Sequence, residues 1–286
     1  MKLLEKKIPS TCQIVLWGDS HEGNIAKHDK GVEKIKEWIL AKRNRYWVHM
    51  GDECDSITTD DKRYAFDPKQ RDPIPLQQSR NVVKELRPIA GRGIVMLNGN
   101  HNQKLARFGN LTRDIVCEGL KVPYGTWSCK VRLVTSDGDG GVRQVCKMFL
   151  THGIGGTIKS NAKDEEQRRA NMKAALKRKL VKKAADCLIM AMGHTHLLLR
   201  VPPANRLLVV DDGEEIQQKY LGQGDGAAPY IEPDCRWYAN TGSLVKLYQM
   251  ESETYAERAG YDPIELGYIV VDIKGGVVQD LKKVRL

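Results

Sequence analysis

The stretch Ile14-Val15-Leu16-Trp17-Gly18-Asp19 decides the fold. Four apolar residues in a row are too few for a helix and too continuous for a strand with one wet face. They read as a strand covered on both sides, closed by a glycine and an acid. The same device returns four times, as Tyr46-Trp47-Val48-His49-Met50-Gly51-Asp52, Ile94-Val95-Met96-Leu97-Asn98-Gly99-Asn100, Met148-Phe149-Leu150-Thr151-His152-Gly153 and Leu188-Ile189-Met190-Ala191-Met192-Gly193-His194. Helical stripes lie between these runs. Val32, Ile35, Trp38 and Ile39 make one; Leu76, Val83, Leu86 and Ile89 a second, ended near Pro88 and Gly91; Leu105, Phe108, Leu111, Ile115 and Val116 a third, ended at Gly119. Strands alternating with helices mean an α/β layered fold.

Farther out, Cys129–Thr135 and Val142–Leu150 flank the turn-forming run Ser136-Asp137-Gly138-Asp139-Gly140-Gly141, a hairpin signal that makes the sheet mixed. The C-terminal third reads as mostly strand, at Leu207–Val210, Leu244–Gln249, Tyr268–Ile273 and Val277–Leu281. These elements predict two packed sheets with helices outside, in a single domain over residues 1–286. Peripheral segments are expected at 56–80, a polar loop with Pro68, Pro73 and Pro75; at 157–186, a basic helix pinned by Met172, Leu176 and Leu180; and at 211–234, a Gly- and acid-rich excursion.

Composition bounds the function. With 41% hydrophobic and 29% charged residues the chain can bury a sizeable core, which excludes a disordered tail or a fibre. No apolar run approaches the ~18 residues that span a bilayer, so no membrane association is expected. Met1–Ser10 makes a poor signal peptide, with Lys2, Glu5, Lys6 and Lys7 and no apolar stretch behind them. Seven scattered cysteines, with no C-x-x-C pair, argue against a disulfide framework or zinc ribbon and fit a reducing compartment; the expected location is the cytoplasm. The net charge is +10, and Thr157–Lys183 concentrates ten basic residues against three acids. That segment is either a solvated helix face or a contact for nucleic acid. Lys62, Arg63, Tyr64, Phe66 and Arg71 mix charge with rings, and read equally as a base-stacking loop or an ordinary one.

Ligands of open α/β sheets bind beyond the carboxyl ends of the strands. The polar residues collected there are Asp19, His21, Asp52, Asn100, His152, His194 and His196, all of metal-ligating type, and five of the seven histidines (21, 101, 152, 194 and 196) fall at or beside these ends. If the segments are extended, Asp19 with His21 and His194 with His196 point the same way. Asp52, with two oxygens, can bridge a metal pair. His28 and His49 read as ordinary polar residues.

The ordered blocks Asp19-x-His21, Gly51-Asp52-x-x-Asp55, Gly99-Asn100-His101, His152-Gly153 and Gly193-His194-x-His196 resemble the calcineurin-like metallophosphoesterase superfamily, and Asn240-Thr241-Gly242-Ser243 resembles the stretch that follows the last block. The resemblance implies a four-layer α/β/β/α sandwich of two packed mixed β-sheets with flanking helices. It implies two divalent ions, one on Asp19, His21, Asp52 and His196, the other on Asp52, Asn100, His152 and His194. His101 would protonate the leaving oxygen or steady the phosphoryl charge, with Asp55 holding its imidazole. The implied activity is hydrolysis of a phosphate ester by metal-bound hydroxide. Oxygen and imidazole donors without thiolate suit manganese first, then iron or zinc.

Two departures stand out. Asn102 occupies a position where many relatives carry an acid, and Ser56-Ile57 follows Asp55 where protein serine/threonine phosphatases carry Arg-Gly. With the local basic segment, the second departure leans the reading toward phosphodiesters of nucleotides or nucleic acid. The alternatives are a phosphomonoesterase or protein phosphatase, and a non-catalytic binding protein reusing the fold. The sequence leaves the oligomeric state open.

Overall fold

The computed structural model describes residues 1–286 except 62, 63, 65–73, 139, 154, 157 and 212. Along the chain run β1 (Lys2–Lys7), β2 (Cys12–Trp17), α1 (Asp29–Leu40), β3 (Arg45–His49), α2 (Pro75–Leu86), β4 (Gly93–Met96), the short α3 (Asn100–Gln103) and α4 (Glu118–Leu120), β5 (Ser128–Ser136), β6 (Val142–Thr151), α5 (Glu165–Leu180), β7 (Ile189–Met192), β8 (Leu198–Val201), β9 (Arg206–Asp211), β10 (Ile216–Leu221), β11 (Trp237–Thr241), β12 (Gly267–Lys274) and β13 (Val277–Arg285). They build a six-stranded sheet of order β1-β5-β6-β7-β11-β8 and a five-stranded sheet of order β13-β12-β2-β3-β4. β9 and β10 form a hairpin of their own. Both large sheets are mixed: β2, β3 and β4 run parallel while β12 is antiparallel to β2, and β6, β7 and β11 run parallel while β5 is antiparallel to β6 and β8 to β11.

Side chains alternate across a strand, and this sorts the core. From β2, Ile14 and Leu16 face inward with Val48, Leu97, Val271, Val131, Met148, Leu150 and Ala239, filling the space between the sheets. Val15 and Trp17 face outward with Trp47 and Met96, against Val32, Ile35 and Ile39 of α1 and Val82 and Leu86 of α2. On the far side Phe149, Met190 and Tyr238 pack against Leu176 and Leu180 of α5. The order helix, sheet, sheet, helix is the layering that the resemblance implied. Covering both faces of every central strand explains their unbroken apolar runs.

Local readings differ in places. The third stripe is not one helix: α3 is followed by a 3₁₀ turn at Ala106–Phe108, and a π-helical turn at Thr112–Cys117 leads into α4. Gly109 at φ +121° breaks the run and leaves Phe108 exposed. Leu244–Gln249 is not a strand, making only isolated bridges through Val245 and Gln249. α2 begins at Pro75, inside the segment read as loop, and α5 is confined to Glu165–Leu180, with Met172 half-buried above Leu176 and Leu180. β1, an edge strand parallel to β5, had no sequence signal because Leu3 and Leu4 sit among charges. Lys62, Arg63, Phe66 and Arg71, read equally as a base-stacking loop or an ordinary one, lie outside the described residues; Tyr64 is half-exposed. Among the described residues no helix is long and apolar enough to cross a membrane.

Candidate metal centre

The carboxyl ends of β2, β3 and β4 in one sheet and of β6, β7 and β11 in the other meet at one edge of the sandwich. Asp19 and His21 follow β2, Asp52 follows β3, Asn100 and His101 open α3 after β4, and His152 follows β6. His194 and His196 occupy the connection from β7 to β8. The structure brings all of them together, but not by strand alternation. Asp19, His21, Asp52, His194 and His196 all have φ between +47° and +70°. L-residues other than glycine avoid this left-handed region, at a cost on the order of 1–3 kcal/mol each where the surroundings enforce it. The expectation of extended i, i+2 pairs is therefore corrected: each donor turns through a left-handed bend, not along a strand. Cross-chain bonds hold the bends, with the Asp19 N–H donating to the Gly51 carbonyl at 3.0 Å and that of His21 to the Asp52 carbonyl at 3.1 Å.

Among the described residues three donor groups result, the third being His21 with Asp55 and His101. In the first, ligating atoms of Asp19, His21 and His196 lie within 4.8 Å of one another; in the second, those of Asp52, His152 and His194 do. In the first, His196 Nε2 is 3.3 Å and His21 Nε2 is 4.0 Å from Asp19 Oδ1. Asp19 Oδ1 and His21 Nε2 are fully buried with no hydrogen-bond partner among the described residues. In the second, His152 Nδ1–H donates to the Met50 carbonyl at 2.8 Å, which turns Nε2 toward Asp52 Oδ2 at 3.2 Å and Asn100 Oδ1 at 2.9 Å. His194 Nδ1 reaches the same Asn100 oxygen at 2.7 Å. Electron pairs thus face one another in a buried space, an arrangement that needs positive charge at its centre. Orphaned buried donors of this kind fit divalent cations.

The electrostatics agree. Burial pushes the Asp52 carboxyl up, but His152, His101 and His21 together hold it well below the usual range. Burial likewise acts against ionised Asp19, yet the adjacent His196 imidazole, with His152 behind it, leaves its carboxyl lowered. For His152 burial lowers, and the Asp52 charge more than offsets it, pushing the imidazole up to about 9.

Asp55 departs from its expected role. Its carboxylate, 4% exposed as a residue, bonds His21 Nδ1 and Asn24 Nδ2, both at 3.2 Å. It is the Asp55 main-chain carbonyl that takes the Nδ1 of His101, at 2.5 Å, while the carboxylate stays 3.6 Å away. Asp55 therefore fixes the tautomer of His21, leaving Nε2 free to ligate, and its carbonyl does the same for His101. His101 packs edge-on against His21 with ring centroids 4.4 Å apart, and its N–H donates to Asp52 Oδ1 at 3.0 Å. Burial and the neighbouring His21 push its imidazole down to about 4.

Other buried polar groups support the donors. His49, fully buried in β3, accepts the Gly51 N–H on Nδ1 at 3.3 Å and meets Ser20 Oγ on Nε2 at 3.2 Å. It thus joins the Asp19–His21 bend to the one before Asp52. Its one signal was a polar residue inside an apolar run. Asn102 donates to Glu53 Oε1 at 2.6 Å, as does Thr112 Oγ1 at 2.6 Å, and Ser56 Oγ donates to Asn102 Oδ1. Glu53 is the acid that Asn102 meets. Lys27, 7% exposed, bonds Glu22 at 2.5 Å and Glu85 at 2.8 Å, tying the loop after His21 to α2.

No family model matches the chain, and no curated protein does. Similar solved structures include a metallophosphoesterase from Sphaerobacter thermophilus, 15% identical over 96% of this chain and 88% of that one, with a TM-score of 0.38. The calcineurin-like phosphoesterase YfkN from Bacillus subtilis is 12% identical over 96% and 89%, with a TM-score of 0.39. The NAD nucleotidase NadN from Haemophilus influenzae is 12% identical over 96% and 49%, with a TM-score of 0.37. These superpositions are loose, and the donor geometry stands without them.

Proposed function

We propose that the chain, taken as one unit, is a metal-dependent phosphoric ester hydrolase. The observation that carries the reading is the pair of adjacent donor groups whose buried oxygens and ring nitrogens face one another without hydrogen-bond partners or share a single amide oxygen. Asp19, His21 and His196 would hold one ion and Asn100, His152 and His194 the other, with Asp52 shared. Two divalent ions so held supply Lewis acidity toward phosphoryl oxygens. Manganese suits the oxygen and imidazole set, with iron and zinc next.

The chain's own groups do the rest. Asp55 orients His21 through Nδ1. His101 is held through Nδ1 beside the donor groups. An approaching phosphoryl anion favours its charged form, which then holds a proton for the leaving oxygen. Glu53 and Asn102 anchor the helix that carries His101.

The substrate lean is toward phosphodiesters of nucleotides or nucleic acid. Ser56-Ile57 after Asp55 and the basic segment 157–183 support it. The seven cysteines are free and buried, the state a reducing compartment maintains, and this supports a cytoplasmic location. The test is hydrolysis of bis-p-nitrophenyl phosphate against p-nitrophenyl phosphate with added manganese. Activity on the diester, abolished by chelation, supports the proposal. A strong monoester preference would overturn the diesterase lean, and activity that survives exhaustive chelation would overturn the metal centre. Nucleic-acid binding through the basic segment should weaken steeply with salt, and a flat response would remove that contact.

A further inference from the structure

β11 lies between β7 and β8, so the connection carrying His194 and His196 must arch over the end of β11. The residues beneath the arch are Asn240, Thr241, Gly242 and Ser243, and the three with side chains are fully buried. Each grips a specific atom above it. Thr241 Oγ1 donates to the Met192 carbonyl at 3.4 Å, Asn240 Nδ2 donates to Thr195 Oγ1, and the Gly242 N–H donates to the Leu197 carbonyl at 3.0 Å. The arch is pinned at its start, crown and end. On the other side, Ser243 Oγ and the Leu244 N–H both donate to the Asp19 carbonyl, at 3.2 and 3.1 Å. The two ends then close on each other, because the His194 N–H donates to Asp19 Oδ2 at 3.1 Å. Gly242 is itself forced, since at φ +75° an added Cβ would stand 2.7 Å from the Gly267 carbonyl.

We infer that Asn240, Thr241 and Ser243 are positioning residues, forming a clamp that holds Asp19, His194 and His196 in their left-handed bends and so sets the geometry of both donor groups. The clamp touches no metal or substrate. It acts across 224 residues of chain, from Ser243 to Asp19. Its link to metal affinity rests on the metal-centre reading; its mechanical role does not.

The experiment uses the full chain. Thr195→Val keeps the shape of the crown residue and removes the hydroxyl that Asn240 holds; Thr195→Ser restores it; Ser243→Ala frees one donor from Asp19. Manganese binding is measured by calorimetry, and melting is followed with chelator and with manganese. The expected result is a 10–100-fold weaker manganese affinity in Thr195→Val and Ser243→Ala, near wild-type affinity in Thr195→Ser, and a smaller manganese-induced rise in Tm in the two deficient variants. Leu176→Ala, a core change on the α5 side, should lower both melting curves together and leave the affinity alone. Affinities within twofold of wild type in both deficient variants would overturn the clamp. A wild-type protein that binds no manganese would count against the metal centre instead. Hydrogen exchange of the metal-free protein then decides: faster exchange at the Asp19 and His194 amides in the deficient variants upholds the clamp, and unchanged exchange overturns it.

Discussion

Substituting Gly99 by alanine tests the site through a single methyl group. Gly99 caps α3 with φ −128° and ψ 172°, a conformation open to any residue, so backbone strain plays no part. Space does. A Cβ there would stand 2.0 Å from Asp52 Oδ1, 2.4 Å from the Asp52 nitrogen and 2.7 Å from its carboxyl carbon. Ordinary contact begins near 3.4 Å, so the carboxylate or the helix start must retreat by more than 1 Å. Asp52 Oδ1 also accepts the His101 N–H, so the displacement moves His101 with it. Overpacking of this kind costs about 1–3 kcal/mol of stability. Catalytic constellations tolerate only about 0.5 Å, and a 1 Å misplacement costs on the order of 10²-fold in rate. Gly99→Ala should therefore fold, melt a few degrees lower, retain fewer than two manganese ions by elemental analysis, and hydrolyse bis-p-nitrophenyl phosphate about 100-fold more slowly or worse. A variant with two ions and turnover within threefold of wild type would refute both the placement of Asp52 and its sharing between the ions.

Three further outcomes follow from the same geometry. His101→Ala should lower turnover by ~10²–10⁴ while leaving metal content intact, and metal loss measured in that variant would mean the ring ligates. Leu176→Ala, at a fully buried position of α5, should cost about 2–5 kcal/mol in denaturant unfolding; a loss below 1 kcal/mol would show that α5 is not packed as described. Burial works against ionised Asp186, but Lys130 at 2.6 Å and Lys147 at 2.8 Å win and depress its carboxyl. A depressed folded value gives stability that is full above the unfolded value of about 3.9 and lost as pH falls through the folded one. The Tm difference between wild type and Asp186→Asn should thus be present at pH 5–7 and shrink below about pH 4; a gap that widened on acidification would contradict the ion pairs.

The strands that carry the site were legible because each announces both its burial and its end. Ile14 to Asp19 shows an apolar run, a glycine and an acid, and the structure uses all three. The stripe of Val32, Ile35 and Ile39 was readable for the same reason, since period fixes which face is buried. What local pattern does not encode is the handedness of a bend. Asp19 turns left-handed because Gly51, Ser243 and Leu244 hold its backbone, and none of these is near it in sequence. The same holds for Asp55: the residue stands out in the sequence, but which of its oxygens lies nearest His101 is set by a fold in which its N–H meets the distant Glu22 carbonyl and its carboxylate meets His21. Leu244–Gln249 looked like a strand by composition, yet Lys246 spends its N–H on the Ala26 carbonyl and no neighbouring strand lies alongside. A single polar residue in a buried strand, such as His49, has no signature that separates a support from a spectator.

Five donors on left-handed backbone give this protein an uneven tolerance to replacement. Glycine loses nothing by taking up such a bend, and asparagine little, whereas valine or isoleucine is driven out of it. At 19, 21, 52, 194 and 196 glycine should erase ligation and asparagine, with a neutral amide oxygen, weaken it, both sparing the scaffold, while branched residues should damage ligation and scaffold alike. A well-formed but inert copy, suited to capturing an uncleaved ester, is therefore reached by way of glycine.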